Sequence, residues 1–150
     1  MTNTHHQICI IGIGNPIRSD DGVGAFICQQ IEEKKYKGVT TIITHQLDMG
    51  LAESLENFDT VIFIDASVNN EPVSLQEISL DKNQPQSFSH HINAAMLVGL
   101  VKQLYPTHTR FYVCAIGAKN FEMGNTISEK ALNNANKAIS LLSEKFGFTD

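Results

Sequence analysis

The 150-residue chain has no tryptophan, three cysteines and no excess of basic residues, and each shortage excludes something. Eleven basic residues against sixteen acidic ones give a formal net charge of -5. Broad contact with nucleic acid or an anionic membrane would favour the opposite balance. Cys9, Cys28 and Cys114 are odd in number and far apart, so neither a disulfide framework nor a cysteine zinc site is indicated. Each is expected to be a small buried hydrophobe. No apolar run approaches the roughly 20 residues that span a bilayer. The opening "MTNTHHQICIIGIG" lacks the basic region and long apolar stretch of a secretory signal, which sets the expectation of a cytoplasmic protein.

What is present is an alternation of strand and helix patterns. "QICIIGI" (7–13) is continuously apolar, as expected of a strand covered on both faces. In the helical segment that follows, Val23, Phe26, Ile27 and Ile31 share a stripe. "VTTIITH" (39–45) reads as a second strand, "MGLAESLENF" as a short helix, and "DTVIFIDA" (59–66) as a buried strand. "VSLQEISL" (73–80) fits an edge strand. The loop "DKNQPQSFSHH" leads to a helix with Asn93 as the expected N-cap and Met96, Leu97, Leu100 and Leu104 as its stripe. "TRFYVCAIG" (109–117) is a further strand. Residues 127–146 form a terminal helix whose stripe is Leu132, Ala135, Ile139 and Leu142. The expected fold is α/β: residues 1–150 as a single three-layer α/β/α domain, with a mostly parallel five-stranded twisted sheet and helices on both faces.

In such sheets ligands bind beyond the carboxyl ends of the strands. "GIGNPIRSDDGVG" (12–24) leaves one such end and carries Asn15, Asp20 and Asp21. Asp65 closes the "TVIFI" strand, and His90 and His91 stand before a helix, so three distant segments would converge on one rim. Gly12-x-Gly14 after a strand suggests a dinucleotide loop, but the third glycine position is Ile17 and no lysine follows. Carboxylates would also repel a phosphate, by about 1–4 kcal/mol for each contact at ~4 Å. The acidic pair could cap a helix, or it could belong to a functional site. Asp65 could cap a neighbouring loop, and the histidines could bond locally. Together, two strand-end carboxylates and an imidazole are an O,O,N donor set suited to zinc, nickel or iron.

The same residues carry a resemblance. "GIGNPIRSDDGVG" is similar to the Gly-x-Gly-Asn…Asp-(Asp/Glu)-Gly-x-Gly opening of the hydrogenase maturation endopeptidases. "VIFIDA", "SFSHHINAAMLVGLVKQLY" and "AIGAKNFEMGNTIS" resemble that family's later marks, in the same order and over nearly the whole chain. The resemblance implies an endopeptidase that removes the C-terminal extension of a nickel–iron hydrogenase large-subunit precursor. Its metal-contacting and catalytic side chains would be Asp21, Asp65 and His90. His90 is assigned over His91 because it directly follows Ser89 and stands three before Asn93, with His91 as the alternative. Asp20 would then be the helix cap, and Asn15 would hold the turn through its side chain.

The metal implied is nickel supplied by the substrate precursor, with zinc or cadmium expected to stand in for it in vitro, and no organic cofactor. The implied partner is the immature large subunit, met by a monomer without nucleic acid or membrane. A non-catalytic metal-sensing or precursor-binding module on the same fold is the alternative. Two chemistries stay open: a metal-activated water or carbonyl, or a carboxylate as general base. No serine or cysteine sits in a nucleophile-elbow context. Where many relatives carry Glu or Gln and Pro after the last strand's glycine, this chain has Ala118 and Lys119, which puts substrate identity in doubt.

Overall fold

The computed structural model describes residues 6–68, 70–78 and 89–150, with the side chains of residues 89–93 outside the description. Five strands form one sheet: β1 (Ile8–Ile13), β2 (Val39–Thr44), β3 (Thr60–Ser67), β4 (Val73–Glu77) and β5 (Arg110–Gly117), in the order β2-β1-β3-β5-β4. β1 pairs in parallel with β2 and β3, and β3 in parallel with β5. β4 runs antiparallel on β5 as an edge strand, as its imperfect alternation led us to expect.

Among the described residues four α-helices cover the sheet: α1 (Val23–Lys34), the short α2 (Ala52–Leu55), α3 (Ser89–Leu104) and α4 (Glu129–Phe146). A strand with apolar residues at every position has to be covered twice, because successive side chains point to opposite faces. β1 meets that condition throughout, and β3 from Val61 to Ile64. Ile8, Ile10, Ile62 and Ile64 pack with Val23, Ile27 and Ile31 of α1 and with Ala131, Ala135 and Leu142 of α4. Cys9, Ile11, Val61 and Phe63 pack on the other face with Leu55 of α2 and with Leu97, Val98 and Val101 of α3. The result is the expected α/β/α layering.

Two details of α3 differ from the expectation. The helix already includes Ser89, so Asn93 lies inside it rather than at its N-cap. The buried stripe is Ala94, Leu97, Val98 and Val101, while Met96 and Leu104 are exposed. Small and β-branched residues let the helix lie close on the sheet, and the longer Met96 and Leu104 turn outward. α4 likewise buries Ala131, Ala135, Ala138 and Leu142, with Leu132 and Ile139 only half-buried at its flanks. Among the described residues no helix is long and apolar enough to cross a membrane.

Candidate functional site

The connection from β1 passes through α1 to β2 on one side, and the connection from β2 passes through α2 to β3 on the other. α1 and α2 cover opposite faces. The direction of winding therefore reverses between β1 and β3, a switch point at whose carboxyl ends ligands of such sheets bind. Both described carboxylates of the expected set belong to these two strand ends.

Asp21 sits in a 3₁₀ turn, Ser19–Gly22, that leads from β1 into α1 and packs against β3. Its Oδ2 accepts the Asn15 N–H at 2.7 Å, which fixes one oxygen against the loop and leaves Oδ1 to other contacts. The approach is close because residue 14 is glycine. At φ 141° Gly14 adopts a conformation that side chains rarely take, and a Cβ there would overlap the Asp21 carbonyl oxygen. Asn15 Oδ1 accepts the Ile17 N–H at 3.0 Å, an Asx turn of the kind expected of it. Glycine at 24 lets α1 start against the strand tips: a Cβ there would stand 3.0 Å from both Ile13 N and Ile64 O.

Asp65 lies on β3, beside Ala115 of β5, and is 4% exposed. By strand alternation it follows Val61 and Phe63 onto the face covered by α2 and α3. α3 ends at the amino edge of the sheet, where Thr107 Oγ1 donates to Glu56 O and Thr109 Oγ1 to Phe58 O, just ahead of β3. Its 16 residues span about 24 Å. The backbone of its first turn, Ser89 to Ile92, is thereby carried to the carboxyl edge on the face that Asp65 looks toward. The His90 and His91 side chains lie outside the described residues, so the third donor is not placed. Among the described residues alone, no group of three His, Cys, Asp or Glu could hold a metal ion.

Asp20 departs from its expected role. It lies inside the 3₁₀ turn, and the N-cap of α1 is Gly22, with no side-chain cap hydrogen bond. It is fully buried, and its carboxylate accepts from the other end of the chain: Ser128 N–H at 2.6 Å, Ser128 Oγ–H at 2.8 Å, and the Lys119 and Asn120 N–H groups at 3.0 Å each. Its own N–H donates to Asn120 O at 2.9 Å. Burial pushes this carboxyl up, but the bonds from Ser128, Lys119 and Asn120 outweigh it and hold the group below the usual carboxylate value. A buried carboxylate has to be satisfied by donors, and the segment after β5 supplies them. Sequence reasoning missed Ser128, which caps α4 by accepting the Ala131 N–H at 3.2 Å. A serine directly ahead of the helical pattern was the available signal.

The cysteines offer no nucleophile. Cys9, Cys28 and Cys114 are all buried and unpaired with one another, and burial pushes each thiol up to about 12. A thiol so raised is protonated near neutral pH and inert.

The fold is that of the hydrogenase maturation endopeptidases, which matches the resemblance drawn from the motifs. The chain is similar to the hydrogenase maturating endopeptidase HybD from E. coli, with 16% identity over 95% of this chain and 94% of that one and a TM-score of 0.76. It is similar to the NiFe hydrogenase maturation protease HybD from Thermococcus kodakarensis, with 20% identity over 93% and 98% of the two chains and a TM-score of 0.72. The maturation protease HycI from Thermococcus kodakarensis KOD1 aligns at 20% identity over 92% and 90%, also at a TM-score of 0.72. No protein-family model and no curated protein sequence matches the chain.

Proposed function

We propose that this chain is a hydrogenase maturation endopeptidase, which removes the C-terminal extension from the nickel-loaded precursor of a nickel–iron hydrogenase large subunit. The observation that carries the reading is the position of Asp21 and Asp65 at adjacent strand ends, at the switch point of a fold shared with such proteases. Asp21, Asp65 and His90 would meet the nickel that arrives with the precursor. Two carboxylates and one imidazole leave room for the substrate's own ligands, so that cleavage depends on a loaded substrate. No organic cofactor is called for. The partner is the immature large subunit, met by a monomeric chain in the cytoplasm.

Hydrolysis adds water across the scissile amide. The described thiols are too buried to serve as a covalent nucleophile, which favours direct attack by water. A carboxylate of the site would take the water's proton, and the departing amine would receive one. Asp65, buried at its strand end, or Asp21 would take the proton-accepting role.

The test is processing of a nickel-loaded precursor by purified variants. Asp21→Ala, Asp65→Ala and His90→Ala should each abolish the shortened product while keeping a native circular dichroism spectrum, and His91→Ala should lose less. Normal processing by all three would refute the site. A stable, uncut complex with wild-type protein would favour the non-catalytic binding module instead.

A further inference from the structure

The Asp20 contacts have a consequence for its neighbour. The turn that carries Asp21 meets the Gly14–Asn15 loop and β3 on one side; on the other it is laced to the segment after β5. Ser19 has φ 54°, an unusual backbone for a non-glycine residue. Its N–H donates to Gly124 O at 2.8 Å and its Oγ–H to Glu122 O at 2.7 Å. The Gly124 N–H returns to Ile17 O at 2.9 Å. Arg18 Nε–H donates to Phe121 O at 3.2 Å. Strained backbone persists where its surroundings over-determine it, and the buried Asp20 carboxylate is the centre of those surroundings.

We propose that Asp20 is a positioning residue: it clamps residues 119–128 onto the acidic turn and thereby fixes where Asp21 points. The two acids of the pair then divide the work. Asp20 reaches about a hundred residues along the chain to a fixed set of donors, and Asp21 bonds instead to the Asn15 N–H just beyond β1. Asp20 itself touches neither substrate nor metal. The assignment rests on the proposed function only in taking Asp21 as a site residue.

The experiment is amide hydrogen exchange on the whole protein, comparing wild type with Asp20→Asn. An amide in place of the carboxylate turns an N–H₂ group toward N–H donors and breaks part of the set. The decisive reporter is the Asn15 amide, which bonds to Asp21 Oδ2 and makes no contact with Asp20. If Asp20 positions Asp21, the Asn15 amide loses protection together with those of Lys119 and Asn120, by about tenfold for one weakened hydrogen bond, while amides of β1 and β3 keep theirs. A purely local role would loosen Lys119, Asn120 and Ser128 and leave Asn15 unchanged, and that result overturns the proposal.

Ser128→Ala, which removes one hydroxyl donor, should show the same coupled pattern at smaller amplitude, and it decides the matter alone if Asp20→Asn does not fold. In processing of the loaded precursor, Asp20→Asn should lower kcat by about 100-fold with little change in KM, the expected result of misplacing a reacting group. A rise in KM at unchanged kcat would also overturn it. Failure of wild-type protein to cut any precursor would refute the proposed function, whereas the exchange result stands independently of it.

Discussion

Replacing Gly14 by alanine should disturb both stability and the site, because the added methyl group has nowhere to go. Its Cβ would overlap the Asp21 carbonyl oxygen and stand 3.1 Å from Asp21 Oδ1, and the obstacle is backbone rather than a flexible side-chain end. The φ of 141° adds strain for any residue with a side chain, of about 1–3 kcal/mol. Forcing a methyl group into a closed contact adds about 1–3 kcal/mol. Together they place the loss near 3 kcal/mol, since relaxation of the turn relieves part of both. For a domain of this size that lowers Tm by about 6–12 °C. Urea unfolding gives the first quantity and a thermal scan the second. Gly99→Ala is the control: nothing lies within 4 Å of its added Cβ inside α3, so it should stabilise by about 0.5–1 kcal/mol. A Gly14→Ala loss below about 1 kcal/mol, less than either contribution at its midpoint, would refute the close-approach reasoning.

Other outcomes follow from the same contacts. Asp20 is depressed in the folded state, so its stabilisation is fully present at neutral pH. It declines as pH falls below the ordinary value of about 3.9 and through the lower folded value. The stability gap between wild type and Asp20→Asn, read by urea unfolding, should be widest near pH 7 and shrink toward pH 3; a gap that widens in acid contradicts it. The three thiols, buried and pushed up to about 12, should resist a thiol reagent in native protein and react once urea unfolds it. Rapid native labelling of any of them would show the core to be looser than described. Gly147→Ala, at the left-handed C-cap of α4 with φ 67°, should cost about 1 kcal/mol in urea unfolding, and a neutral result would count against the cap.

The sequence was most informative where a single element determines the outcome. β1 and β3 were legible because each carries a short, continuous, β-branched apolar run, Ile8–Ile13 and Val61–Ile64, as expected of a strand covered on both faces. Their parallel arrangement followed from the alternation with helices, and the switch point followed from both. Asp21 and Asp65 stood out as candidates because carboxylates follow apolar strands and match a family's motif; the structure adds their placement beyond the ends of β1 and β3. The stripe of α3 was misread because Met96 and Leu104 fit helical spacing as well as Ala94 and Val98 do, and only packing against the sheet decides between the two faces. The role of Asp20 was not legible at all. Its donors stand about a hundred residues away, and local reasoning can offer an acid ahead of a helix only the part of a cap. His90 rests on motif order, with its side chain outside the described residues.

The central claim is that the site recognises a metal-loaded precursor and cuts it. The most direct measurement incubates wild-type protein with the same hydrogenase large-subunit precursor, nickel-loaded in one tube and nickel-free in the other, and weighs the products by mass spectrometry. The account predicts a product shortened at its C-terminus from the loaded precursor and none from the nickel-free one. Equal cutting of both would contradict nickel-dependent recognition, and cutting of neither would contradict the peptidase itself.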